Sequence, residues 1–81
     1  MFRVRWTDDG EIFEGTSSWA EVVNAMRLSM RLDPDPDIKS YMAGVKRRVK
    51  EWNGSVIRDD DPEHFIMDLA ACGFIEILEG E

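Results

Sequence analysis

Two carboxylate clusters have spacings that chemistry can use. Asp33, Asp35 and Asp37 alternate as the opening positions of a calcium loop do, where oxygen ligands fall at the first, third and fifth places. The sixth place of such a loop needs glycine and the twelfth needs a bidentate Glu, but Ile38 and Gly44 stand there. With Pro34 and Pro36 interleaved, the trio reads as turn and capping residues that also oppose the positive end of a helix dipole. The second cluster, Asp59, Asp60, Asp61, Glu63 and His64, offers hard oxygens and an imidazole, a donor set for magnesium or manganese. Sequential loop residues point in different directions, whereas a metal site draws its ligands from separate elements. A solvated acidic loop with Asp61 as a helix cap is therefore expected, and no metal or other cofactor is assigned.

His64 and Cys72 are the only imidazole and the only thiol. On one helix they lie eight residues apart, roughly 12 Å along the axis, too far for one to activate the other. Cys72 is expected as a small buried apolar side chain and His64 as an exposed residue of a first helical turn. Ser17 and Ser18 have a capping role and no nearby base, and no glycine-rich phosphate loop occurs. Enzyme activity is not expected.

The elements that hold these groups follow from periodicity. Phe2, Val4 and Trp6 alternate with Arg3, Arg5 and Thr7, the pattern of a half-buried strand. Asp9-Gly10 suits a two-residue hairpin loop, placing Trp6 opposite Phe13 and Arg5 opposite Glu14 on a second strand to about Gly15. Ser18 to Glu21 has the form of a capping box opening a first helix to about Leu32. Trp19, Val22, Val23, Met26 and Met30 form one face of it; Leu28 and Leu32 lie nearly opposite, to pack on the second helix or to meet a partner or a second copy. Asp35 as N-cap and Pro36 at the first position open the second helix, whose core stripe is Ile38, Tyr41, Met42, Val45, Val49 and Trp52, with Asn53-Gly54 as the stop. Ser55 to Arg58 is a short strand candidate, Asp61-Pro62 opens a third helix that ends at Gly73, and Phe74 to Leu78 reads as a last strand flanked by neighbours. The expected fold is a single α+β domain over residues 1–81: about four strands in one sheet, with three helices on one face. The last strand-helix-strand unit is a candidate parallel crossover.

Charge distribution is the least ordinary feature. Lys39, Lys46, Arg47, Arg48 and Lys50 against Glu51 give the second helix +4; the chain carries -7, so the remainder carries -11. An acidic balance opposes non-specific attachment to phosphate backbones and anionic lipid. No stretch is long and apolar enough to span a membrane, no leader signature opens the sequence, and the single Cys suits a reducing interior. A cytoplasmic location is therefore expected.

The leading expectation is a small acidic, non-enzymatic interaction module for a protein with a basic surface. Asp59, Asp60, Asp61, Glu63, Glu76 and Glu79 would carry its charge, and Leu28 or Leu32 its apolar contact. One concrete form is an inhibitor encoded by a phage or mobile element, anti-CRISPR-like, that occupies a nucleic-acid groove on its target. The alternative is a nucleic-acid-binding or regulatory module that sets Lys39, Lys46, Arg47, Arg48 and Lys50 on phosphates. A metal-dependent hydrolase built on the acidic cluster is the third reading. The chain would act as a monomer or a homodimer.

Overall fold

A computed structural model describes residues 1–29 and 35–80. Its elements run in the order β1 (Phe2–Trp6), β2 (Ile12–Gly15), α1 (Trp19–Leu28), α2 (Ile38–Asn53), α3 (Pro62–Ala71) and β3 (Ile75–Gly80). The three strands form one sheet in the order β2-β1-β3, antiparallel throughout. The fold is α+β with the helices against one sheet face. Val4, Phe13 and Ile75 are buried on that face, while Arg3, Arg5, Glu14 and Glu76 stand on the other, as the period of two dictates.

Four expectations about the sheet are corrected. The hairpin is two residues out of the expected register: Arg3 rather than Arg5 pairs with Glu14, Val4 rather than Trp6 with Phe13, and Arg5 with Ile12. The loop is Thr7 to Gly10, closed by Trp6 N–H donating to Glu11 O and Gly10 N–H donating to Trp6 O, both at 2.9 Å. Asp9 accepts from the Glu11 N–H at 2.9 Å, an Asx turn that favours this longer loop, with Gly10 left-handed at φ 77°. The same register brings the Arg3 guanidinium to 2.8 Å from Glu14.

Ser55 to Arg58 forms no strand, so the described residues hold three strands rather than four. The Arg58 N–H goes to the Asp68 carboxylate at 2.9 Å instead of to a neighbouring strand, and Ile57 alone is drawn into the core. With no strand before α3 there is no parallel crossover. β3 returns antiparallel to β1 as an edge strand, not a flanked one, with a register irregularity opposite Arg3 and Val4.

Trp19, Val22, Val23 and Met26 bury α1 between the sheet and the other two helices. Gly15 sits where α1 meets β2: a Cβ there would lie 2.7 Å from Glu21 Cβ and 2.9 Å from Ser18 O, so only glycine permits this approach. The Ser18 side chain makes no cap bond; the Glu21 carboxylate instead takes the Ser17 N–H at 2.7 Å and the Thr16 hydroxyl at 3.1 Å. α1 is described to Leu28 with Ser29 as its C-cap, short of the expected Leu32.

The N-cap of α2 is Asp37, not Asp35; its carboxylate takes the Ser40 N–H at 2.8 Å. Tyr41, Met42, Val45 and Val49 of α2 meet Phe65, Ile66 and Leu69 of α3 in one core, with the Tyr41 and Phe65 rings edge to face at 6.3 Å. Two expected core residues lie outside it: Trp52 is 70% exposed, and Cys72 is exposed at the C-cap of α3. Leu28, expected either on α2 or at a partner contact, is 60% exposed.

Candidate functional site

The start of α3 gathers three of the predicted carboxylates. Asp61 is extended at φ -153°, Pro62 occupies the first turn, and the Asp61 carboxylate takes the Glu63 N–H at 2.8 Å. Asp60 lies 3.2 Å from His64 Nδ1 one turn on, and the hydrogen bond from that imidazole holds the Asp60 carboxyl below its ordinary range. Glu63 makes no ion pair among the described residues and is exposed to solvent.

The opening turn of α3 faces the opening turn of α1 across an open groove of about 630 Å³. Asp61 and Glu63 line it together with Phe2, Trp19, Pro62 and Met67. Phe2 and Trp19 are fixed edge to face at 4.8 Å, and Met67 stands 40% exposed, so the groove has a rigid aromatic floor and an adaptable thioether wall. Met67 and Trp19 were not among the sequence-predicted site residues. Their helical spacing marks them only as apolar, and it is the packing of α1 on α3 that sets them beside Asp61.

The other predicted carboxylates are dispersed. Asp59 accepts from Lys46 Nζ at 3.2 Å, Glu76 is bound by Arg5 at 2.9 Å on the open sheet face, and Glu79 lies 3.8 Å from the N-terminal ammonium. Leu28 is nine residues along α1 from Trp19, about 13 Å at the rise of a helix, and does not reach the groove. Leu32 lies outside the described residues.

Among the predicted bases of α2, Lys46 is committed to Asp59, and Arg48 Nε donates to Gly44 O at 3.3 Å. Lys39, Arg47 and Lys50 are exposed on the outer side of the helix, without ion pairs among the described residues. The remaining arginine of this region, Arg58, grips Asp68 with two guanidinium bonds at 3.0 Å in addition to the backbone bond. Those bonds hold the Asp68 carboxyl below its ordinary range.

Among the described residues no three His, Cys, Asp or Glu side chains are grouped so as to hold a metal ion, and no helix is long and apolar enough to cross a membrane. His64 turns Nδ1 to Asp60 and Cys72 stands free at the far end of α3. What this site offers chemically is hydrogen-bond acceptors and charge beside an apolar trough. Comparison with protein-family models, with curated proteins and with solved structures finds no match to this chain.

Proposed function

We propose that this chain is a small interaction module that docks a basic surface of a larger protein into the groove between the starts of α1 and α3. The observation that carries this reading is the juxtaposition of Glu63 and Asp61 with Phe2, Trp19 and Met67 in one open groove. Charge brings a basic partner in fast and orients it, while a few desolvated anchors hold it; the groove has both kinds of group within reach of one another. Neighbouring Asp60 extends the negative field. No Lys or Arg occurs from residue 59 to residue 81 to oppose it. An inhibitor that covers a nucleic-acid-binding site on its target is one form such a module takes.

The test is affinity capture from extract of the native host, run in parallel with wild type and with Asp60→Lys/Glu63→Lys. Asp61 is left in place because it caps α3. A basic protein retained by wild type, released by salt and lost by the variant supports the reading. Retention of the same proteins by both baits overturns it. Lys39, Arg47 and Lys50, exposed and without ion pairs among the described residues, favour a second reading, contact between α2 and phosphates. It is separated by a mobility shift at low salt, where the first reading expects no complex of the isolated protein with DNA or RNA.

A further inference from the structure

A second groove, of about 270 Å³, lies between the β1–β2 loop and the C-terminal half of α2. Five aromatic residues line it: Trp6, Phe13, Tyr41, Trp52 and Phe74. Its polar members are Asp8, Asp9 and Glu11 from the hairpin loop, with Ser29 and Arg48. Three carboxylates against one guanidinium leave it net negative. None of the three forms an ion pair among the described residues, and Asp9 spends one oxygen on the Glu11 N–H.

Tyr41 is only 6% exposed, yet its hydroxyl has no hydrogen-bond partner among the described residues. Since no fully buried side-chain oxygen there goes unpaired, that hydroxyl reaches solvent. Trp52 is the exposed wall. It costs the core nothing to place a tryptophan there, but a large apolar surface left in water is the kind of feature that a binding partner covers.

We infer that this aromatic groove receives an arginine side chain from a basic segment of a protein partner, with its guanidinium directed to Asp8 and Glu11. A groove of about 270 Å³ has room for one large side chain. Aromatic faces attract cations, and a planar guanidinium stacks on them while its edge bonds carboxylates, which an ammonium cannot do in the same geometry. The methylene stem of arginine covers the apolar floor. This site lies on a different surface from the α1–α3 groove, so each stands or falls alone.

The experiment uses the full chain and a defined probe, acetyl-Gly-Gly-Arg-Gly-Gly-amide, titrated while the indole N–H resonances of Trp6 and Trp52 are followed by NMR. The expected result is saturable movement of both, with a dissociation constant of roughly 1 to 5 mM, the range of one well-placed side chain. The lysine peptide should bind more weakly and the glutamate peptide not at all. Trp52→Ala, and separately Asp8→Asn/Glu11→Gln, should each weaken the arginine peptide by about fivefold or more. Neither change touches a buried residue, and retained amide dispersion confirms the fold. Glu63→Lys should leave this affinity unchanged, which separates failure here from failure of the groove at α3. No movement of either indole, equal binding of the lysine peptide, or full affinity after Trp52→Ala would overturn the proposal.

Discussion

At the scale of single residues, several charged side chains hold this small fold together before they do anything else. Asp68 accepts three bonds from Arg58, two from the guanidinium and one from its backbone N–H, and so fixes the segment between α2 and α3. Asp68→Asn should lower the melting temperature by roughly 4 to 8 °C in a domain of this size, read by circular dichroism. An unchanged transition would mean the segment is held by Ile57 alone. Gly15→Ala forces a methyl into backbone and side chain that cannot both withdraw, and should cost about 1 to 3 kcal/mol in urea unfolding. A neutral result would mean that α1 does not press on β2 as described. The sequence showed the sign of each charge but not its mate. Arg3 and Arg5 were legible as a solvent-facing row, yet their partners Glu14 and Glu76 depend on a hairpin register and on a strand that returns from 71 residues away. Site residues suffered most from this, because an acidic side chain advertises itself whether it is free, as Glu63 is, or already paired, as Asp59 is.

At the scale of elements, local signals placed the three helices but not every cap or turn, since the N-cap of α2 is Asp37 and the hairpin loop is longer than Asp9-Gly10 suggested. The Asp-Pro start and Gly73 stop of α3, and the stripe of Tyr41, Met42, Val45 and Val49 on α2, follow from side-chain chemistry within one or two turns. Reach is not local. Periodicity placed Trp52 on the same stripe, but says nothing about how far the neighbouring elements cover it, and Trp52 is left 70% exposed. Trp52→Ala should accordingly change unfolding free energy by no more than about 0.5 kcal/mol, where a core tryptophan would cost about 3 to 5 kcal/mol. Chemical denaturation distinguishes these two values readily. Val56 and Ile57 looked like strand residues by type, but a strand requires a neighbour, and the backbone donor at Arg58 was taken by Asp68. Helix-cap chemistry also sets a limit on how the acidic face can be tested. Asp61→Lys would remove the cap of α3 along with the charge, whereas Glu63 and Asp60 are free of that duty.

At the scale of the whole molecule, the net charge of -7 couples stability to pH. The carboxyls of Glu21, Asp37, Asp60 and Asp68 are all held below their ordinary values, by bonds from the Ser17 and Ser40 backbone, from His64 and from Arg58 respectively. Such groups bind protons more readily in the unfolded chain than in the folded one. Their stabilisation is thus complete above the ordinary carboxylate range and is lost as pH falls through the lowered folded values. The melting temperature should hold steady from neutral pH down to about pH 5 and then fall steeply toward pH 3, as followed by calorimetry. A melting temperature that rises on acidification in that range would contradict these assignments.

Function at this scale is a matter of what the outside attracts. The α1–α3 groove sets Glu63, without an ion pair among the described residues, beside fixed aromatic and thioether surface, and the outer side of α2 carries the opposite sign. The most direct measurement is the affinity of the captured partner for wild type and for Glu63→Lys across a series of salt concentrations, by calorimetry. Wild-type binding should weaken as salt rises, and the variant should bind more weakly at low salt and with a shallower dependence. An affinity indifferent to both salt and the Glu63 substitution would show that the acidic groove is not where this protein meets its partner.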